Sequence, residues 1–306
     1  MQFLIIFQES VLPLFLIAAI AAIYQRSVRP DIKQLADVGL IVFAPIFIFN
    51  SLMSADITWK AVYGPFGLML LLTACLMGLA WAASLLLRLD SEDTLALVLA
   101  CSMINVGNFG LPLIHFAYGQ QAMEASVLIF VVFNLPLCTV AICLTSPGAG
   151  WTDTVRDVAR IPIFHAMIVA LLLTTLGISL PESLGKGLDL LGTAAIPLLI
   201  FVLGLQLAKI GVPGRIRAFL PVLATAVVIR LIVSPGLALG LTHLLAFSGL
   251  ARDVAVVQTS GPSALLPLMY AIRFGRRTEL LASTILVTSL CSAATMPLVI
   301  AGVNWL

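Results

Sequence analysis

Charge is what this chain has least of. Of its 306 residues 14 are acidic and 16 basic, while 61% are hydrophobic. A soluble domain carries about a quarter charged residues, so the composition reads as a polytopic membrane protein with the lipid bilayer as its first partner. A net charge of +2 says little about other partners, and no nucleic acid is expected. The GxxxxGK[S/T] phosphate loop is missing, so ATP does not drive the protein directly. No cluster of His, Cys or carboxylates has metal-site spacing, and no acidic pair suits an embedded hydrolase or prenyltransferase. Neither a catalytic centre, a cofactor nor a metal is therefore expected. Cysteines 75, 101, 138, 143 and 291 stand in apolar runs without zinc or disulfide spacing and read as small packing residues. The N-terminus has no basic leader and no small-residue cleavage site, so it reads as a first span.

What the chain has is apolar length. A helix needs about 20 residues to cross the hydrocarbon layer. Ten stretches qualify: 3–24, 35–53, 64–87, 95–117, 122–144, 162–180, 188–208, 219–243, 251–272 and 279–304. One set of alternate loops holds Arg26, Arg29, Lys33, Arg88, Arg156, Arg160, Lys209, Arg215, Arg217, Arg273, Arg276 and Arg277, and the other only Lys60, Lys186 and Arg252. Twelve against three places the first set in the cytoplasm and both termini outside it. A bacterial inner membrane is the expected location. Trp59 and Trp305 on the outer side, with Tyr24 and Trp151 on the inner, fit interfacial belts.

Two spans carry matching interruptions, Asn105-Val-Gly107-Asn108-Phe-Gly110-Leu-Pro112 and Ser260-Gly261-Pro262-Ser263-Ala-Leu-Leu-Pro267. A break inside hydrocarbon survives only where it is buried in protein or lines a polar cavity, and paired breaks in two halves of a chain point to a carrier's binding site. The halves match elsewhere: Leu111-Pro112-Leu113 and Ala125-Ser126 against Leu266-Pro267-Leu268 and Ala282-Ser283, and Ala44-Pro45 through Phe49 against Ile196-Pro197 through Phe201. Five spans per repeat is odd, so the second copy must be inverted. The expected organisation is a first repeat at 1–146, a cytoplasmic linker at 147–161 and an inverted repeat at 162–306.

The segments Val11-Leu-Pro13-Leu-Phe, Asn105 to Pro112, and Leu180-Pro181-Glu182 through Pro197 to Gly204-Leu-Gln-Leu207 resemble the auxin efflux carrier family of membrane transport proteins, over nearly the whole chain. The resemblance implies an all-α fold of ten transmembrane helices with the fourth and ninth interrupted and crossing, related to the bile acid/sodium symporters. It also implies a mobile core moving against a scaffold in elevator fashion, and a dimer through the scaffold half. The implied cargo is a small organic anion: auxin in plants, malonate or malate in bacteria. Members often begin the sixth span with Asn-Pro, where this chain has Ile161-Pro162.

An anion suits such a crossing, because a helix restarting in mid-membrane presents free N–H groups and the positive end of its dipole. Pro112 and Pro267 fall near the restarts, with Asn108 and Ser263 just ahead as expected N-caps and Asn105 and Ser260 three residues earlier. These residues, with Gly107, Gly110, Gly261 and Pro262, form the expected substrate site. Asn50, Asn134, Gln258 and Arg230 are candidate cavity-lining residues. Arg230 lies deep in its span, and its partner is either backbone carbonyls freed near Pro235 or at a half-helix end, or the substrate. Glu9 is read as facing water, and His115 and His165 as packed or interfacial.

The leading reading is a secondary carrier for small carboxylates, with export driven by the membrane potential. Sodium- or proton-coupled symport is the alternative within the class, and the coupling ion is open. The alternative from another class is a membrane ligand sensor derived from a transporter.

Overall fold

A computed structural model describes residues 2–54, 59–146, 156, 159–210 and 219–305. In chain order its helical segments are α1 (Gln2–Val28), α2 (Ile32–Met53), α3 (Trp59–Leu86), α4 (Ser91–Ser102), α5 (Leu111–Tyr118), α6 (Gln120–Thr145), α7 (Pro162–Thr175), α8 (Glu182–Ile210), α9 (Leu220–Leu244), α10 (Gly249–Thr259), α11 (Leu266–Arg273) and α12 (Glu279–Asn304). Among the described residues there is no strand beyond one isolated bridge. Seven helices, α1, α2, α3, α6, α8, α9 and α12, are long and apolar enough to cross a membrane. The other expected spans are helical in shorter pieces: α4 and α5 flank one break, and α10 and α11 flank another.

Helix α7 stops at Thr175, short of the expected 180. Gly177 adopts φ +66° there, and Ile178 donates back to the Leu173 carbonyl at 2.9 Å. This is a glycine-terminated helix end that closes the last carbonyls. Most of the connector expected at 147–161 lies outside the described residues, as do Trp151, Arg215 and Arg217 and the side chains of Trp59 and Lys60.

Proline shapes the long helices. Among the described residues four π-helical turns occur, at Phe7–Val11, Gly39–Phe43, Val106–Gly110 and Ile229–Val233. Each ends two residues before a proline: Pro13, Pro45, Pro112 and Pro235. Proline lacks an N–H and its ring displaces the carbonyl one turn back. A widened turn re-satisfies the freed groups without breaking the helix. The chain can therefore bend inside hydrocarbon and remain hydrogen-bonded.

Packing separates an interior from a lipid-facing shell. α6 is the most enclosed of the seven long helices, whereas α1 exposes Leu16, Ile20 and Ile23 and α3 exposes Trp81 and Leu85. α1 and α8 meet at Gly204, where a Cβ would fall 2.3 Å from the Ala18 carbonyl oxygen. Glycine is what lets these two backbones touch. α8 runs antiparallel to α2, with Leu198 against Gly39 and Gly192 against Asn50. At the N-terminus of α4, Asp90 caps the Asp93 amide at 3.0 Å, Arg276 pairs with Glu92 at 2.7 Å, and Arg277 with Asp90 at 2.5 Å. This ionic group ties α4 to the link between α11 and α12.

Candidate functional site

The two breaks meet. Beyond α4 the chain is extended at Met103 and turns at Asn105 (φ −81°, ψ 63°), where the Val106 N–H donates to the Ile104 carbonyl at 2.9 Å. That is an inverse γ-turn, and the helix resumes at once through the π turn Val106–Gly110 into α5. The second break runs from Ser260 to Leu265. Ile104 and Ser263 lie opposite each other as an antiparallel bridge: the Asn105 N–H donates to the Pro262 carbonyl at 3.0 Å, and the Ala264 N–H to the Met103 carbonyl at 2.8 Å. Each break thus supplies the hydrogen bonds that the other lacks, which a water-free interior demands.

Side chains complete the satisfaction. Ser263 Oγ donates to the Ala100 carbonyl at 2.7 Å and accepts from Thr288 Oγ1 at 3.1 Å. Gln258 uses both ends of its amide: Nε2 donates to the carbonyls of Val106 (3.0 Å) and Ser126 (3.1 Å), and Oε1 accepts from Ser126 Oγ at 2.9 Å. It clamps α10 to the restart of α5 and to α6. Arg230 reaches carbonyls at half-helix ends and one hydroxyl. Nε donates to Gly261 O at 2.8 Å, Nη1 to Ser234 Oγ at 2.8 Å and to Cys101 O at 3.4 Å, and Nη2 to Thr259 O. The guanidinium sits where α4 and α10 both end, facing the negative poles of two helices.

The expected N-caps are corrected. Asn108 lies inside the π turn, and no side chain caps either that turn or α5. Ser263 precedes Leu265, the residue at the N-terminus of α11, and spends its hydroxyl on Ala100. Prolines at the start of α5 and α11 need no amide partner, so caps are less needed there. Ser260 donates to its own helix, at Val256 O (2.6 Å), and Asn134 to Phe130 O (2.7 Å). Gly107 and Gly110 lie where a Cβ would strike the Phe130 ring (2.6 Å) and Gln258 Cγ (2.8 Å); at Gly261 it would reach Phe109 at 3.4 Å. Asn105 differs from these: it is 6% exposed and its Nδ2 has no partner among the described residues.

A cavity of about 500 Å³ lies between the C-terminal end of α2, the N-terminal half of α8, and the α5–α6 connection. Asn50, Ser51, His115, Gln121, Glu124, Asp189 and Thr193 are among its polar walls. Two buried atoms on it, Asn50 Nδ2 and His115 Nδ1, have no hydrogen-bond partner among the described residues. Asn50 was legible in the sequence as a polar residue in an apolar run. Ser126 and Thr288, which hold the crossing together, were not singled out, although Ala125-Ser126 recurs as Ala282-Ser283 in the other half. Among the described residues no group of three or more His, Cys, Asp or Glu forms a metal site.

Apolar spans that enclose paired helix breaks, with buried polar groups gathered where the breaks meet, define a polytopic protein integral to a membrane. Comparison with known proteins gives the family. Residues 151–300 match the family model described as membrane transport protein. An uncharacterized transporter of Methanothermobacter thermautotrophicus is 29% identical over 296 residues, covering 94% of this chain and 95% of that protein. Another from Methanocaldococcus jannaschii is 27% identical over 224 residues, covering 72% of this chain and 70% of its own length. Over residues 151–300 the chain thus matches the membrane transport protein family, that of the auxin efflux carriers.

Proposed function

We propose that this protein is a secondary transporter for small organic anions, working by alternating access about the contact between residues 103–105 and 260–265. The observation that carries the reading is the Asn105 amide, buried at that contact with its Nδ2 donor unpaired among the described residues. An unmet buried donor costs about 1–3 kcal/mol and invites an acceptor such as a carboxylate. The surrounding field favours the same ligand. α5 and α11 restart beside the contact with their positive ends inward, while Arg230 offsets the negative ends of α4 and α10. The cavity of about 500 Å³ beside α5 is of a size that suits small molecules.

The antiparallel pairing of the two matching breaks supports an inverted repeat, 1–146 against 162–306 joined by 147–161, with ten crossings and both termini outside the cytoplasm. The match to a transporter family favours transport over catalysis. Export of one negative charge gains about 2.3 kcal/mol per 100 mV of an inside-negative potential, so efflux needs no coupling ion.

Uptake of labelled mono- and dicarboxylates into proteoliposomes tests this reading. Asn105→Ala and Asn108→Ala proteins are expected to lose at least about tenfold in affinity, the worth of one or two charge-assisted hydrogen bonds. Variants that are folded and move the acid at the wild-type rate overturn it.

A further inference from the structure

We propose that Arg230 is a built-in cation standing where a carrier of this architecture would otherwise bind sodium, so that the crossing works without that ion. The inference rests on the transporter reading for its meaning but not for its measurement. Four oxygens converge on the guanidinium: the backbone carbonyls of Cys101, Thr259 and Gly261 and the hydroxyl of Ser234. Unwound carbonyls and half-helix C-termini are the groups that coordinate sodium in carriers with broken helices. Here they come from both broken segments, and one fully buried side chain has claimed them.

The charge count points the same way. Arginine keeps its proton in proteins, and among the described residues no carboxylate forms an ion pair with Arg230. The positive charge is held by the dipoles of three carbonyls and one hydroxyl. A sodium ion added to the same oxygens would stand beside an unneutralised guanidinium, and two like charges a few ångströms apart in a low-dielectric interior repel strongly. A tethered cation also needs no binding step. It joins α9 to the ends of α4 and α10 permanently, while leaving the restarting ends of α5 and α11 to the cargo. The π turn Ile229–Val233 that carries Arg230 ends two residues before Pro235.

The test is thermal unfolding of purified protein, without substrate, in sodium, choline or low-millimolar guanidinium chloride at equal ionic strength. Wild type is expected to unfold at one temperature in all three. Arg230→Ala is expected to lose on the order of 10 °C and to regain part of it in sodium or guanidinium but not in choline, because either cation re-enters the vacated oxygens. Arg230→Lys keeps a charge with fewer donors and carries the test should the alanine protein not fold; its indifference to sodium supports the proposal. Stabilisation of wild type or of Arg230→Lys by sodium overturns it, as does a folded Arg230→Ala protein indifferent to both cations. Failure of every organic acid to bind wild type would sink the anion reading and leave these outcomes untouched.

Discussion

Asn105 donates its backbone N–H to the carbonyl of Pro262 at 3.0 Å, a bond between two residues far apart in sequence, each standing in an interruption of its own helix. With the Ala264 to Met103 bond beside it, it makes the two breaks one unit. Neither could exist alone in an apolar interior, where an unpaired amide or carbonyl costs several kcal/mol. Motion about this point would therefore carry α4, α5, α10 and α11 together.

Gln258 tests that unity most directly. Its amide serves Val106, Ser126 Oγ and Ser126 O, so Gln258→Leu keeps the bulk and strands buried polar partners on two other segments. A loss of about 2–4 kcal/mol is expected, read as a fall in unfolding temperature. Gln258→Glu, whose carboxylate cannot donate to those carbonyls, should be at least as costly. Wild-type stability in the leucine protein would mean that the clamp is incidental.

Helices α1 and α8 touch through Gly204, with backbone and side-chain atoms of Ala18 and Ala21 within 2.3–2.8 Å of the Cβ that is missing. Because the nearest obstacles are backbone atoms, no rotamer change relieves Gly204→Ala, and the helices must part. Overpacking of this kind costs about 1–3 kcal/mol. Gly185, with open space around its Cβ position, is the control: Gly185→Ala should leave the unfolding temperature unchanged or raise it slightly.

The ionic group at the start of α4 makes stability depend on acid. Donation from the Arg277 backbone N–H, with the Arg276 guanidinium adding to it, holds Glu92 below its ordinary 4.5. The Arg277 side chain does the same to Asp90, ordinarily 3.8. A carboxyl whose folded value is depressed contributes stability that is present above its unfolded value and is lost as pH falls through the folded one. Asp93 is raised, first by burial and then by the charge of Asp90, so its protonation offsets part of that loss. Stability should hold from neutral pH to about 4.5 and then decline. Glu92→Gln should flatten the decline. An acid limb of equal steepness in that variant would assign the effect elsewhere.

Much of this architecture is legible in order along the chain. Apolar runs locate the long helices, and Asn105-Val-Gly-Asn and Ser260-Gly-Pro-Ser mark the breaks, because both follow from local composition. The partners of the polar side chains are not local. Gln258 could not be matched with Ser126, nor Arg230 with Cys101 and Thr259, since these contacts depend on how α4, α6, α9 and α10 pack. Asn108 and Ser263 read as caps on spacing alone, yet the prolines that follow remove most of the need for one. The π turns before Pro13, Pro45, Pro112 and Pro235 were not legible, because Pro65, Pro136 and Pro297 also stand inside helices and have none.

The cavity beside α5 gives the last prediction. Asn50 Nδ2 and His115 Nδ1 are buried on its wall and neither has a partner among the described residues. Unmet buried polar atoms cost stability in the folded protein, so Asn50→Leu and His115→Phe should leave the unfolding temperature at or above that of wild type. If the cargo passes this cavity and hydrogen-bonds there, each variant should weaken transport affinity about tenfold, the value of roughly one hydrogen bond. Gly192→Ala approaches the same point from the other wall: its Cβ would lie 2.9 Å from Asn50 Nδ2 and push the amide off its position, reproducing the effect without touching either polar residue. Transport at wild-type affinity in all three would take the cavity off the path and confine the cargo to the crossing at Asn105.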